Sequence, residues 1–149
     1  MKLAHNVKIT VFCNPEEDKD VIKAGLFSLV PFNLEEEKIE LNETNAKSFN
    51  ERIIKIFEIG FGKEKHTTLF LKYLNDRLNE QQKELLIRQI KSRLDDHLHF
   101  FIRLDKENLL NKKYVITDSG NCFHIKISIA AFPAKKDKGV LVVKEIFSK

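Results

Sequence analysis

Alternation between apolar and polar residues is the feature of this sequence that most constrains its fold. In the segment 4–13 one side carries Val7, Ile9, Val11 and Cys13, and the other side carries Asn6, Lys8 and Thr10. The segments 98–104 and 122–132 alternate in the same way. A period of two places successive side chains on opposite faces of a strand, so these three segments predict half-buried strands.

Three further segments are interpreted as strands. They alternate or are rich in β-branched and aromatic residues, and they cover residues 37–43, 51–59 and 114–117. A polar loop over 44–50 joins the first two. The turn Asp118-Ser119-Gly120-Asn121 separates the third from the strand that follows it.

Capping residues and apolar stripes at helical spacing predict the helices. The first helix is capped by Asn14, has Pro15 at its first helical position, and ends at Pro31. The others are a helix capped by Thr67 or Thr68, a helix capped by Asn79 that closes at Asp95-Asp96, a short turn over 106–110 and a last helix over 140–147.

This order of elements predicts the fold class. Most strands follow one another as hairpins, which favours antiparallel pairing. A chain of 149 residues has the size of one domain. We therefore expect a single domain over residues 1–149, of the α+β class, with a mostly antiparallel sheet and helices packed on one side.

Composition narrows the class of protein. With 42% hydrophobic and 32% charged residues the chain is typical of a globular protein. Its apolar stretches fall well short of the ~20 residues that cross a bilayer, and no signal peptide is evident at the amino terminus. We expect a soluble, cytoplasmic protein that does not contact a membrane.

Charge is distributed unevenly along the chain. Residues 1–62 carry 8 basic and 11 acidic side chains, whereas residues 63–149 carry 18 basic and 11 acidic ones, which gives the net charge of +4. A basic half is compatible with a nucleic acid or another anionic partner. A solvated, lysine-studded surface is the alternative interpretation.

The sequence contains none of the common catalytic or cofactor motifs. A phosphate-binding glycine loop, a nucleophile elbow and a zinc-protease motif are all missing from it. Asp95, Asp96, His97 and His99 could chelate a metal, or simply face solvent at a helix end. Cys13 and Cys122 more often pack as small hydrophobic residues than act as nucleophiles. We expect no catalytic residue, no metal and no cofactor.

Basic residues form the stronger pattern. Lys63, Lys65 and His66 lie at a predicted helix start, where backbone N–H groups and the helix dipole favour phosphate. Arg103 and Lys106 flank a strand end, and two loops carry Lys112-Lys113 and Lys135-Lys136. The aromatic residues that lie near these groups and could stack on bases are Phe61, Phe101, Tyr114 and Phe132.

The run Phe100–Lys106 (FFIRLDK), followed by a strand that ends in Ala130-Ala131-Phe132-Pro133, resembles a group of small archaeal proteins. They are described as RNA-binding-domain proteins and predicted exosome-associated subunits. The first strand, followed by Glu17-Asp18 at a helix start, is similar to theirs. The resemblance implies a fold like that of ribosomal protein L-five, with RNA binding and no catalysis. Only Arg103 and Lys106 are carried over as matching basic residues.

One loop departs from the family pattern. Before the third strand the family has a His-Gly-Asn-like element, whereas this chain has Lys47-Ser48-Phe49-Asn50, in which only Asn50 corresponds. If that loop contacts RNA in relatives, this chain binds RNA differently there.

We expect an RNA-binding protein of archaeal RNA processing that holds phosphates through a lysine-rich face. Its members are Arg103, Lys106, Lys112 and Lys113, helped by Lys63 and Lys65. The excess of 21 Lys over 5 Arg favours contact with the backbone over reading of bases. The alternative is a protein-interaction subunit, exosome-docking or homodimeric, that uses strand edges and Glu35-Glu36-Glu37. The expected partners are RNA and exosome- or ribosome-related proteins.

Overall fold

The structure is a computed structural model that describes residues 2–48 and 50–148. Within these residues five strands form an antiparallel sheet in the order β2-β3-β1-β5-β4. The strands are β1 Ala4–Cys13, β2 Asn42–Lys47, β3 Ile53–Phe61, β4 His99–Asp105 and β5 Cys122–Ile129.

Six helices complete the described part of the chain. They are α1 Lys19–Ser28, α2 Glu64–Arg77, α3 Glu80–Arg88, α4 Ile90–Arg93, α5 Lys106–Leu110 and α6 Lys136–Phe147. The predicted α+β class with an antiparallel sheet is confirmed. Across the described residues, each helix is too short or too polar to span a bilayer.

The chain divides into two compact units. The first unit comprises Met1–Val7, Phe61–Ile102 and Lys126–Lys149, and the second comprises Lys8–Gly60 and Arg103–Ile125. In the first unit α6 packs on α2 and α3, and the rings of Phe100 and Phe147 lie 5.8 Å apart in its core. In the second unit α1 packs on α5.

The strands carry the alternation that the sequence shows. In β1, Val7, Ile9 and Val11 are buried, while Lys8 and Phe12 are exposed. In β5 the odd positions from Phe123 onwards are buried and the even positions are partly accessible. Each of these strands therefore has an apolar face in the core and a second face that remains accessible.

Several element boundaries differ from the predicted ones. Helix α1 begins at Lys19 with Asp18 as its cap, because Asn14 instead donates its N–H to the side chain of Glu17 within a turn. Helix α2 begins at Glu64, upstream of both threonines. The buried hydroxyl of Thr67 donates to the Glu64 carbonyl and so bonds within the helix.

The predicted strand 37–43 is wrong. The strand at this edge is β2, which is polar and exposed throughout and pairs with β3 from Asn42 opposite Glu58 to Lys47 opposite Ile53. Ile39 and Leu41, which suggested the strand, belong to a loop that lines a hollow. Both side chains are half-buried there, so their alternation reflects packing within a loop.

The remaining differences are smaller. Strand β3 starts and ends two residues later than predicted, β5 ends before Ala130, and 114–117 forms only one bridge, from Ile116 to Leu104. Helix α6 begins at Lys136, four residues earlier than predicted. Its buried Gly139 lets the helix lie against Leu94 and Leu98. In the loop 47–50, Phe49 lies outside the described residues.

Candidate nucleic-acid interface

Of the six basic residues predicted to bind RNA, Lys106 is the one that the structure places in the interior. Asp105 ends β4 and caps α5 by accepting the N–H of Asn108, so Lys106 becomes the first residue of that helix. Its side chain is only 4% exposed. The ammonium Nζ donates to the Phe12 carbonyl at 2.6 Å and to Glu17 Oε1 at 3.1 Å.

These contacts give Lys106 a different role from the expected one. A buried ammonium that is neutralised by a carboxylate and bonded to a carbonyl does not reach an external phosphate. Lys106 is therefore removed from the lysine-rich face. Its partner Glu17 lies 89 residues away in sequence, which is why the local pattern could not reveal the pair.

Arg103 lies on the accessible face of β4 and is exposed. Its guanidinium donates to the Asp118 carbonyl at 3.0 Å and so bridges β4 to the loop 117–121. In this loop, Ser119 donates its N–H to Thr117 Oγ1, and Asn121 donates its N–H to Ser119 Oγ. A backbone carbonyl accepts this bond without neutralising the charge, so Arg103 keeps its positive charge at this surface.

Lys112 and Lys113 follow the last turn of α5 and are both exposed. Lys112 has a left-handed backbone with φ of 65°. Its N–H bonds to the Leu109 carbonyl, and the N–H of Lys113 bonds to the Asn108 carbonyl. This is the Schellman pattern that ends helices, so the backbone of the pair is fixed while both side chains reach solvent.

A hollow of about 320 Å³ opens in the second unit beside Arg103. Its lining residues are Thr10, Phe12, Arg103, Gly120, Cys122 and His124. Phe12 is 50% exposed, so its ring is accessible to solvent beside this hollow. The Thr10 hydroxyl donates to Glu58 Oε2 at 3.1 Å, and Lys8 lies 3.9 Å from the same carboxylate.

Phe12 is a residue that the sequence analysis missed. The nearby aromatic residues considered there were Phe61, which is buried, Phe101 and Tyr114, which are half-buried, and Phe132, which is 79% exposed. The alternation of β1 contained the signal, because Phe12 falls on the polar side together with Asn6, Lys8 and Thr10. An aromatic ring in that register points away from the core.

Lys63 and Lys65 belong to the first unit. Lys63 precedes α2, where its carbonyl accepts the N–H groups of His66 and Thr67, and both lysines are exposed. His66 is buried, with its ring 6.4 Å from that of Phe61, so it does not join them at the surface. The structure thus brings Arg103 and Lys112-Lys113 into one unit and leaves Lys63 and Lys65 in the other.

A second accessible ring lies in the first unit. Phe132 meets the His5 ring edge-on at 6.1 Å. It precedes α6, whose N-cap is the exposed Lys135 and whose first turn carries the exposed Lys136 and Lys138. Lys136 lies 3.8 Å from Asp96. This surface combines charge with an aromatic ring but contains none of the six basic candidates.

The geometry gives little support to a metal site at Asp95–His99 or to catalysis by a cysteine. Asp95 Oδ1 accepts the N–H groups of His97 and His99, so this carboxylate stabilises a turn. Burial would raise the pKa of Asp95, but the two backbone N–H groups hold it below its ordinary value. Among the described residues, no three His, Cys, Asp or Glu side chains are placed to hold a metal ion.

Both cysteines are buried thiols. Burial raises the pKa of Cys13, and the nearby Glu17 carboxylate raises it further. Burial also raises the pKa of Cys122, against the opposing effect of Arg103. A raised pKa keeps the thiol protonated, which lowers its nucleophilicity.

A family model described as RNA binding matches residues 6–129. The chain belongs to this RNA-binding family. A relative named as an RNA-binding protein, from Pyrococcus abyssi, is 23% identical over 142 residues that cover 95% of this chain and 92% of that protein. An uncharacterized protein from Methanocaldococcus jannaschii is 23% identical over 145 residues, covering 93% of each chain.

Solved structures of archaeal proteins share the fold. A protein from Archaeglobus fulgidus gives a TM-score of 0.84 at 22% identity, covering 96% of this chain and 99% of that one. A DUF54 protein from Methanothermobacter thermautotrophicus gives a TM-score of 0.80 at 19% identity, covering 97% and 98%. The α+β architecture of this RNA-binding family member is thus seen in solved structures of similar proteins.

Proposed function

We propose that this member of the RNA-binding family binds mainly the sugar-phosphate backbone of RNA, through exposed cationic side chains. They are Arg103, Lys112 and Lys113 in the second unit, and Lys63 and Lys65 in the first. The observation that carries this proposal is that these five side chains are exposed, while the sixth candidate, Lys106, is neutralised in the interior. Lysine is a flexible point charge, so we expect modest sequence selectivity.

We also propose that the protein is not an enzyme and that it acts in RNA processing in the archaeal cytoplasm. The raised pKa values of Cys13 and Cys122 support a non-catalytic role, because they keep both thiols protonated. The names of the family and of the Pyrococcus abyssi relative support RNA as the ligand. Exosome- or ribosome-related proteins are the proposed partners.

Fluorescence anisotropy with a structured RNA, a single-stranded RNA and a matching DNA tests this proposal. We expect a preference for RNA and a steep loss of affinity with salt. Lys112→Glu with Lys113→Glu should weaken binding about tenfold or more. The matched control is Lys19→Glu with Lys38→Glu, which makes the same change of charge at other exposed positions of the second unit, and Lys38 has the same left-handed backbone as Lys112. Equal effects of the two double variants would contradict a role for this pair.

A second candidate function is that of a protein-docking subunit or homodimer. The observation that favours it is a hollow of about 660 Å³ in the second unit, whose apolar lining comes from Phe27, Phe32, Leu34, Ile39 and Leu41. Two acidic residues, Glu35 and Glu40, and one basic residue, Lys38, line the same hollow and leave it with an excess of one negative charge. A basic, partly apolar segment of a partner protein would complement it. Capture of exosome subunits that survives ribonuclease, and is lost in Leu41→Glu, would support this function.

A further inference from the structure

The ring of Phe12 is the starting observation. On β1 it follows Lys8 and Thr10 on the accessible side, and half of its surface faces solvent. Leaving that apolar area in water has a free-energy cost that burial would remove. Nucleobases stack on such rings with little dependence on sequence, because every base has a π-face.

The ring is attached to a fixed backbone. The Phe12 carbonyl accepts the short bond from the buried ammonium of Lys106, and Glu17 holds that ammonium from a second side. Two residues earlier, Thr10 is bonded to Glu58. A ring presented on a rigid strand loses less conformational freedom on binding than a ring on a loop.

The charges around the hollow are compatible with a nucleotide, which has an anionic phosphate and a neutral base. Arg103 uses one guanidinium N–H on the Asp118 carbonyl, and its remaining donors are available for a phosphate. The nearby Glu58 carboxylate is already engaged by Thr10 and Lys8. Cys122, a neutral thiol, also lines the hollow, so a base that enters it meets no charge from this residue.

We propose that the hollow lined by Phe12, Arg103 and His124 is a subsite for one unstacked nucleobase of single-stranded RNA, with the Arg103 guanidinium on an adjoining phosphate. This subsite rests on the proposed RNA-binding function and adds base stacking to it. The class of ligand is therefore a single-stranded ribonucleotide segment.

The absence of tryptophan from the sequence permits a direct test. Phe12→Trp introduces a single indole into the hollow, and a base stacked on it should quench its fluorescence as a short single-stranded RNA is added. Val21→Trp is the matched control, because Val21 is similarly exposed on α1 in the same unit. Saturable quenching in the first variant alone is expected, and equal quenching in both would overturn the subsite.

A second measurement separates this inference from the proposed function. Phe12→Ala should weaken single-stranded RNA binding at least about fivefold without changing its salt dependence, because stacking releases no counterions. Phe12→Tyr should retain wild-type affinity. Tight wild-type binding that Phe12→Ala leaves intact would overturn the subsite alone, whereas no RNA binding by the wild type would overturn the proposed function as well.

Discussion

The two units of this protein differ in charge and in what they present to a nucleic acid. The first unit carries 15 basic and 8 acidic side chains, a net charge of +7, while the second carries 11 basic and 14 acidic ones, a net charge of −3. Yet the hollow beside Phe12, with the exposed cation Arg103, belongs to the acidic second unit.

This difference separates two contributions to RNA binding. A net positive charge attracts any polyanion and mainly increases the association rate. A ring and a guanidinium at one hollow can hold a particular segment once it arrives. Net charge alone would point to the first unit and not to the hollow in the second. We therefore expect mutations in the two units to affect the association rate and the dissociation rate of RNA separately.

The largest expected effect distinguishes a buried lysine from a surface lysine. Lys106→Met should lower the free energy of unfolding by about 2–3 kcal/mol, because the Glu17 carboxylate and the Phe12 carbonyl lose their shared partner. The loss is smaller than for a fully buried pair, since the Glu17 side chain is 25% exposed. Urea denaturation measures it.

Lys112→Met is the control for that experiment, and its effect should stay within about 0.5 kcal/mol, as is usual for surface positions. If Lys106→Met kept full stability but lost RNA affinity, Lys106 would contact RNA directly after all, and the distinction between the two lysines would fail.

The next prediction separates attraction from retention. Lys63→Glu with Lys65→Glu in the first unit should slow association with RNA about tenfold and change dissociation little. Arg103→Ala in the second unit should mainly accelerate dissociation, because it removes a contact formed only in the complex. Stopped-flow kinetics at two salt concentrations measures both rates. If the Lys63/Lys65 variant mainly accelerated dissociation and Arg103→Ala mainly slowed association, the roles given to the two units would be reversed.

A smaller effect is expected at the end of α5. Lys112→Gly should raise the free energy of unfolding by about 0.5 kcal/mol, because glycine adopts the left-handed backbone of residue 112 without strain. The same change removes a cation and should weaken RNA binding. Lys113→Gly is the control, since it removes a cation without relieving strain. Thermal unfolding of both variants, beside RNA titration, would show whether stability and affinity move in opposite directions only at Lys112.

The smallest predicted effect depends on pH and concerns the first unit. A carboxylate whose pKa is lowered in the folded state stabilises the fold above its ordinary pKa, and that stability is lost as the pH falls through the lowered value. Asp95 is such a group, because it accepts the N–H groups of His97 and His99. Asp95→Asn should therefore narrow the difference in Tm between neutral and strongly acidic solution. An unchanged difference would show that Asp95 does not contribute to acid sensitivity.

The sequence predicted correctly those elements whose bounds depend on residues close together in the chain. Strand β1 and helix α5 have the predicted bounds, and Asn79 caps α3 with the reciprocal bonds to Gln82. In each case the residues that determine the element lie close together in sequence: the alternation of β1, and the capping asparagine before α3. The structure adds that Asp105 caps α5 and that Gln82 completes the capping box of α3.

What the sequence could not provide depends on contacts between distant residues. Strand β2 is polar on both sides because it lies at an exposed edge, so it has no apolar alternation to detect. The buried state of Lys106 depends on Glu17, which lies in a turn after another strand. Family resemblance selected Arg103 and Lys106 as equivalent cations, and only tertiary structure separates them.

The salt dependence of binding to single-stranded RNA tests the central claim most directly. If all five exposed cations engage phosphates, the logarithm of the affinity should fall with the logarithm of the salt concentration at a slope near −3.5, at about 0.7 per contact. Affinity would then drop about 100-fold between 50 and 200 mM salt. A slope near −3.5 is therefore the predicted result. Undetectable binding at low salt, or binding that salt leaves unchanged, would contradict the account.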